Sequence, residues 1–285
     1  MKQHLVIQAP DVPTRALKEL AQMTSAHSIE AIDGQAFRLL NAEAHPQVAA
    51  YCREAQLDFA YVPVAQTLRH FGLYVTDMDS TLINIECIDE IADMLDLKTE
   101  VAAITASAMR GEIEFAESLT RRVALLEGLE ESALKSVYDE RLKLNPGAER
   151  LFKVLKQRHI KTMLVTGGFT FFTDRLKQRL GFDYCAANQL ETRNGKLTGR
   201  VLGEIVDAQG KADHLKRARD ELGLTREQVI AVGDGANDLK MLAEAGVSIA
   251  YHAKPVVAAQ ARYAINYVGL DGILNLFHPD EGVTG

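Results

Sequence analysis

The sequence predicts an α/β protein: a parallel sheet with a block of helices inserted after its first strand, and a small α+β segment in front. Three observations predict it. Short apolar runs at Leu73–Thr76, Lys161–Val165 and Val229–Val232 each end on small or acidic residues and lead into helical stretches, the pattern of parallel strands buried on both faces. Between Asn84 and Asn145 no such run occurs, and Ile88, Ile91, Ala92 and Leu95 recur at helical spacing, as do Leu119, Val123 and Leu126. Before residue 70 the order reads β-α-β-β-α-β, the ferredoxin-like arrangement.

In the front segment the pattern gives a strand at His4–Gln8, a helix at Val12–Met23, strands at Ser28–Ile32 and Ala36–Leu40 joined by the turn Asp33-Gly34, a helix at Pro46–Ala55 and a strand at Asp58–Val62. It is expected to close its own small core, so a chain without residues 1–70 should still fold. Leu73–Thr76 then delivers Asp77. The helical insertion, residues 84–145, is placed to roof the crevice beyond the strand carboxyl ends, where ligands of such sheets bind. Lys161–Val165 runs into Thr166-Gly167-Gly168, and Val229–Val232 runs into Gly233-Asp234-Gly235. Between them Tyr184–Val206, with Asn194-Gly195 amid polar-apolar alternation, predicts a β-hairpin.

A length of 285 residues accommodates a catalytic domain over 71–285 and a smaller module over 1–70. The net charge of −7 and the lack of any Lys/Arg-rich run argue against a nucleic-acid partner. Residues 1–70 carry six Lys/Arg against seven Asp/Glu, which favours a subunit contact, such as a homodimer, or a small-molecule effector over a polyanion. Cys52, Cys87 and Cys185 are far apart with no C-x-x-C pair, so reduced, buried thiols are expected. The opening apolar run is too short for a signal segment, and nowhere do eighteen apolar residues run together, which excludes a membrane span and fits the cytoplasm.

The chemistry gathers at the strand ends. Asp77-Met78-Asp79-Ser80-Thr81 sets two carboxylates two residues apart in a loop leaving a strand, where both can face one crevice. A carboxylate attacks phosphorus when a cation screens its repulsion from the phosphate. Its neighbour can protonate the leaving alkoxide and then activate water. Alone, such a triplet also reads as a solvated turn. Asp234 offers an anionic oxygen to a hard divalent ion, or else belongs to a Gly/Asp turn. Thr166-Gly167-Gly168 offers a hydroxyl and backbone N–H groups to phosphate oxygens, or is a tight turn. Lys211 alone reads as a solvated helix lysine.

Together, in this order, the four elements resemble the haloacid-dehalogenase-like (HAD-type) phosphatases across roughly residues 72–280. The fuller strings, Asp77 through Ile83 and Val232 through Asp238, are similar to the branch of that family that hydrolyses phosphoserine in the last step of serine biosynthesis. The resemblance implies a Rossmann-like parallel sheet with a helical cap and a bound Mg²⁺. It makes Asp77 the nucleophile and Asp79 the acid/base, with the metal held by Asp77, the Asp79 backbone carbonyl and Asp234. Thr166, Gly167 and Lys211 would hold phosphate oxygens, Asn237 would lie on the phosphate side, and Asp238 would orient Lys211 or a metal-bound water. The family's second motif usually begins with Ser, and here Thr166 keeps the hydroxyl. A dehalogenase does not need a carboxylate at the Asp79 position, so Asp79 argues for phosphate chemistry.

By the same resemblance Glu86, nine residues after the nucleophile, takes the substrate ammonium and Arg122 its carboxylate, with Met109 and Phe115 on the apolar side of the pocket. Without it, Glu86 and Arg122 read as solvated helix charges and Met109 and Phe115 equally as core. Phosphohomoserine and phosphothreonine remain rival substrates, and a non-catalytic amino-acid sensor a rival of another class. The front segment resembles ACT-type regulatory modules in strand order and position only.

Overall fold

The computed structural model describes residues 2–279; Met1 and residues 280–285 of the expected 71–285 segment lie outside the described residues. The front of the chain forms β1 (Gln3–Gln8), α1 (Thr14–Met23), β2 (Ser28–Ala31), β3 (Ala36–Leu40), α2 (Val48–Glu54) and β4 (Asp58–Pro63). Its strands lie in the antiparallel order β2-β3-β1-β4, the ferredoxin-like arrangement expected. Gln35 N donates to Asp33 Oδ1 and closes the β2–β3 turn. α1 starts two residues later than the apolar pattern suggests, because Pro13 keeps an extended backbone and disfavours a helical Val12 before it.

One face of this sheet packs on its own helices, with Leu5, Ile7 and Leu39 meeting Leu17, Leu20 and Val48. The other face is not free. Val6, Ala60 and Val62 belong to the same continuous apolar core as Leu270, Leu276 and Phe277, far along the chain. Buried polar groups stitch the same seam. The Asp58 carboxylate accepts from the N–H groups of Asn266 (2.7 Å), Tyr267 (2.9 Å) and Val268 (3.3 Å), and Asn275 Nδ2 donates to Gln8 Oε1 (2.8 Å). Arg38 Nη2 donates to the carbonyls of Asn275 and Phe277. The front segment thus has a small core of its own, but a four-stranded sheet has two faces, and its two helices cover only one; the other packs on the rest of the chain.

The second sheet contains β5 (Leu73–Thr76), β6 (Lys161–Phe169), β7 (Tyr184–Arg193), β8 (Lys196–Leu202), β9 (Val229–Gly233), β10 (Val247–Tyr251) and β11 (Tyr263–Ile265), in the order β11-β10-β9-β5-β6-β7-β8. All pairs are parallel except β7–β8. Between β5 and β6 lie α3 (Cys87–Asp93), α4 (Lys98–Met109), α5 (Phe115–Ala124), α6 (Glu131–Ser136) and α7 (Ala148–Gln157). Then come α8 (Thr170–Leu180), α9 (Ala208–Glu221), α10 (Leu239–Ala243) and α11 (Pro255–Ala258). Alternation within the strands builds two cores. Leu73, Val75 and Ala231 pack with Leu215 and Met241 of α9 and α10; Tyr74, Leu164 and Val232 share the other with Leu151 and Phe172 of α7 and α8.

Helices α3 to α6 form the expected cap, and its two linkers pair with each other. Ile83 bridges Leu144 in antiparallel fashion, and Asn84 N donates to Lys143 O (3.0 Å). Lys143 N donates to Asn84 Oδ1 (2.7 Å), while Asn145 Nδ2 donates to Thr81 O (2.8 Å) and Ile83 O (3.2 Å). The predicted hairpin is β7–β8, turning at Asn194 (φ 53°) and Gly195 (φ 76°), the positive-φ pair a two-residue turn needs. It is an extension of the main sheet, since β7 also pairs with β6, and it reaches the cap where Leu197 N donates to Leu129 O (2.8 Å).

Candidate active site

Three strand ends, those of β5, β6 and β9, and the start of α9 converge on one point. Asp77 follows β5 directly, and its N–H donates to Val232 O (3.0 Å), which locks the loop to β9. Its Oδ1 accepts from Met78 N (2.7 Å) and from the Lys211 ammonium (2.8 Å). Lys211 rises from the first turn of α9, is 0 % exposed, and donates also to Asp238 Oδ1 (2.7 Å). Asp238 Oδ2 in turn accepts from the N–H groups of Asp234 (3.1 Å) and Gly235 (3.0 Å), which fixes the turn after β9. Thr81 Oγ1 donates to Asp234 Oδ1 (2.8 Å) and ties the β5 loop to that turn.

The electrostatics follow from burial. Desolvation, then the Asp238 charge, push the Asp77 carboxyl well above the ordinary carboxylate range, and Lys211 opposes them. Burial works against the Lys211 charge too, but Asp238 and Asp77 outweigh it and hold the ammonium above its usual range. Burial and the neighbouring Glu86 raise Asp79 to about 7, and burial raises Asp234 to about 6. Oxygens of Asp77, Asp234 and Asp238 all lie within 4.8 Å of one another. Three carboxylates beside one ammonium leave two negative charges, the charge one divalent ion cancels, and the donors are all oxygen. The residues present fit a hard divalent cation. In this cluster Asp79 takes no part by its side chain, whose Oδ1 accepts from Cys87 N (3.1 Å).

Thr166 Oγ1 accepts from Gly168 N (2.9 Å), which leaves its own hydrogen to donate. A Cβ on Gly167 would come 2.8 Å from Phe115 Cζ, and one on Gly168 would come 2.9 Å from Asp79 Oδ2, so the cap and the acid/base candidate both press on this loop. Phe115 thus reaches the site, whereas Met109 is 70 % exposed at the end of α4. Glu86 is exposed at the start of α3, where Ser80 Oγ donates to its Oε1 (2.6 Å). Arg122 is 9 % exposed, with Asp89, Glu86 and Asp79 as its acidic surroundings. The expected solvated alternative for Arg122 is thereby excluded. Asn237 is exposed, and its Oδ1 occupies the place a Cβ on Gly235 would take. A separate cleft of about 460 Å³, between the front sheet and the β5 loop, touches Ser80 and Asn84 but none of the clustered carboxylates. Sequence reading missed the Thr81 and Ser80 contacts, which join residues whose pairing only the loop geometry reveals.

The chain belongs to the haloacid dehalogenase-like hydrolase family, which it matches over residues 74–243. That family implies a divalent metal. Within it, the chain falls among the phosphoserine phosphatases: it is 55% identical over 214 residues to the phosphoserine phosphatase of Polaromonas sp., covering 73% of this chain and 91% of that relative. Among solved structures it is similar to a HAD family hydrolase from Salmonella enterica serovar Typhi, with TM-score 0.87 and 34% identity over 97% of this chain and 99% of the other. A probable phosphoserine phosphatase from Vibrio cholerae gives TM-score 0.85 and 37% identity over 96% and 86%. Residues 5–48 match a second family, described as a domain of unknown function.

Proposed function

We infer that this enzyme hydrolyses O-phospho-L-serine to serine and phosphate, the last step of serine biosynthesis, in the cytoplasm, with Mg²⁺ as its metal. The observation that carries the reading is the convergence of Asp77, Lys211, Asp234 and Asp238 at the strand ends beside Asp79 and the Thr166-Gly167-Gly168 loop. Asp77 attacks phosphorus and becomes an aspartyl phosphate while Asp79, protonated near neutral pH, gives its proton to the departing serine oxygen. Asp79 then takes a proton from the water that cleaves the aspartyl phosphate. Thr166 Oγ1, the Gly167 N–H and Lys211 hold the phosphoryl oxygens as charge shifts among them. Asp77, the Asp79 carbonyl and Asp234 would hold Mg²⁺, which supplies charge neutralisation for the attacking carboxylate and the phosphate. Arg122 takes the serine carboxylate and Glu86 its ammonium, beneath the cap.

No helix among the described residues is long and apolar enough to cross a membrane, in keeping with a small dissolved substrate. The test is a panel of phosphoserine, phosphothreonine and phosphohomoserine, each assayed with Mg²⁺ and after EDTA. Phosphoserine should turn over best, EDTA should silence it, and added Mg²⁺ should restore it. Undiminished activity in metal-free protein, or preference for another phosphate, contradicts the reading.

A further inference from the structure

β7 carries a buried side chain that none of these steps uses. Asn188 is 1 % exposed and satisfied at both ends: Nδ2 donates to Gly167 O (2.8 Å), and Oδ1 accepts from Val206 N (2.8 Å). These partners lie on two different parts of the site. Gly167 belongs to the loop assigned to the phosphate. Val206 directly precedes Asp207, whose side chain caps α9 by accepting from Gly210 N (2.8 Å) and whose carbonyl accepts from Lys211 N (2.9 Å).

The need for such a tie is visible in the sheet. The β6–β7 ladder shifts register between Val165 and Phe169, opposite Thr166-Gly167-Gly168. There the loop departs from regular pairing, and the Asn188 carboxamide gives the Gly167 carbonyl a partner. A leucine at this position would fill similar volume, at the cost of two orphaned backbone groups, and would leave the loop and the α9 start free to drift apart.

We propose that Asn188 is a positioning residue for phosphoryl transfer, fixing the separation between the Gly167 loop and the helix start that projects Lys211 onto Asp77. The proposal rests on the phosphatase reading above. Misplacing reacting groups by about 1 Å can cost roughly a hundredfold in rate, so the effect should appear in chemistry and phosphate binding together.

The experiment compares wild type, Asn188→Leu, Asn188→Ala and Asn275→Leu in the full chain with Mg²⁺. It measures kcat/KM for phosphoserine, the inhibition constant of inorganic phosphate, and the melting temperature. Asn275 is a matched control: a buried carboxamide bonded to Gln8, away from the site. Each Asn188 variant should lower kcat/KM and raise the phosphate constant by roughly tenfold or more. Asn275→Leu should lose thermal stability while both constants stay within about twofold. If Asn188→Leu fails to fold, the smaller Asn188→Ala decides. A folded Asn188 variant with both constants within about twofold of wild type overturns the proposal, and so does an equal loss in Asn275→Leu. Wild-type protein that neither hydrolyses phosphoserine nor binds phosphate overturns the functional reading instead, and the proposal with it.

Discussion

Arg122 sits inside the cap with its charge buried, yet among the described residues its guanidinium makes a single hydrogen bond, Nε to Ser118 O at 3.3 Å. A buried cation without a close ion pair is costly unless a ligand anion completes it. Truncating one partner of a buried charged pair typically costs about 2–5 kcal/mol. Arg122→Ala should therefore lower kcat/KM for phosphoserine by roughly thirty-fold or more, and far less for phosphoethanolamine, which lacks the carboxylate. Equal losses on both substrates in a folded variant would place Arg122 in cap structure or phosphate chemistry. At this scale the sequence is most informative where a motif is contiguous: Asp77, Asp79, Asp234 and Asp238 stand in short strings, and each lies at the predicted strand end. Asn188 carries no local signal, because its meaning lies in two backbone groups 21 and 18 residues away.

The cap linkers are the element on which closure depends. Asn145 Nδ2 holds both Thr81 O and Ile83 O, and Thr81 in turn reaches Asp234, so one carboxamide couples the cap to the turn after β9. Asn145→Ala removes both bonds and leaves two carbonyls short of a partner, a cost of about 1–3 kcal/mol. The cap amides should exchange hydrogen faster, with the exchange of β5 and β9 amides unchanged. Unaltered cap exchange would show that the ribbon is held by its backbone pairing alone. Strands whose short apolar runs lead into a glycine or acidic motif are legible from pattern; β10 and β11 lead into no such motif, so nothing local marks them. The start of α1 moved because Pro13 acts on the residue before it, an effect a periodicity count ignores.

Across the whole molecule, the front sheet is built into the catalytic body rather than tethered to it. Deleting residues 1–70 strips Asp58 from three N–H groups at Asn266, Tyr267 and Val268, takes Arg38 from the carbonyls of Asn275 and Phe277, and exposes the apolar face over Leu270 and Leu276. The truncated chain should be insoluble or melt far below the full chain, as judged by soluble yield and circular dichroism. A soluble fragment with a cooperative transition within a few degrees of the full chain would show that the seam is not needed for folding. In the sequence, the independence of the front segment rests on a complete strand order with its own small core and on catalytic motifs that all lie beyond Leu73. The covering of the second sheet face leaves no local signal, because its partners, Leu270, Leu276 and Phe277, lie at the far end of the chain.

The central claim is that phosphate passes through Asp77. Rapid mixing with phosphoserine and Mg²⁺, acid quenching and peptide mass spectrometry test it most directly. The account predicts one phosphoryl group on the peptide containing Asp77, formed and lost at rates that match turnover, and none in an inactive Asp77→Asn variant. Turnover with no trapped phosphoryl group, or its appearance on another residue, would contradict the account.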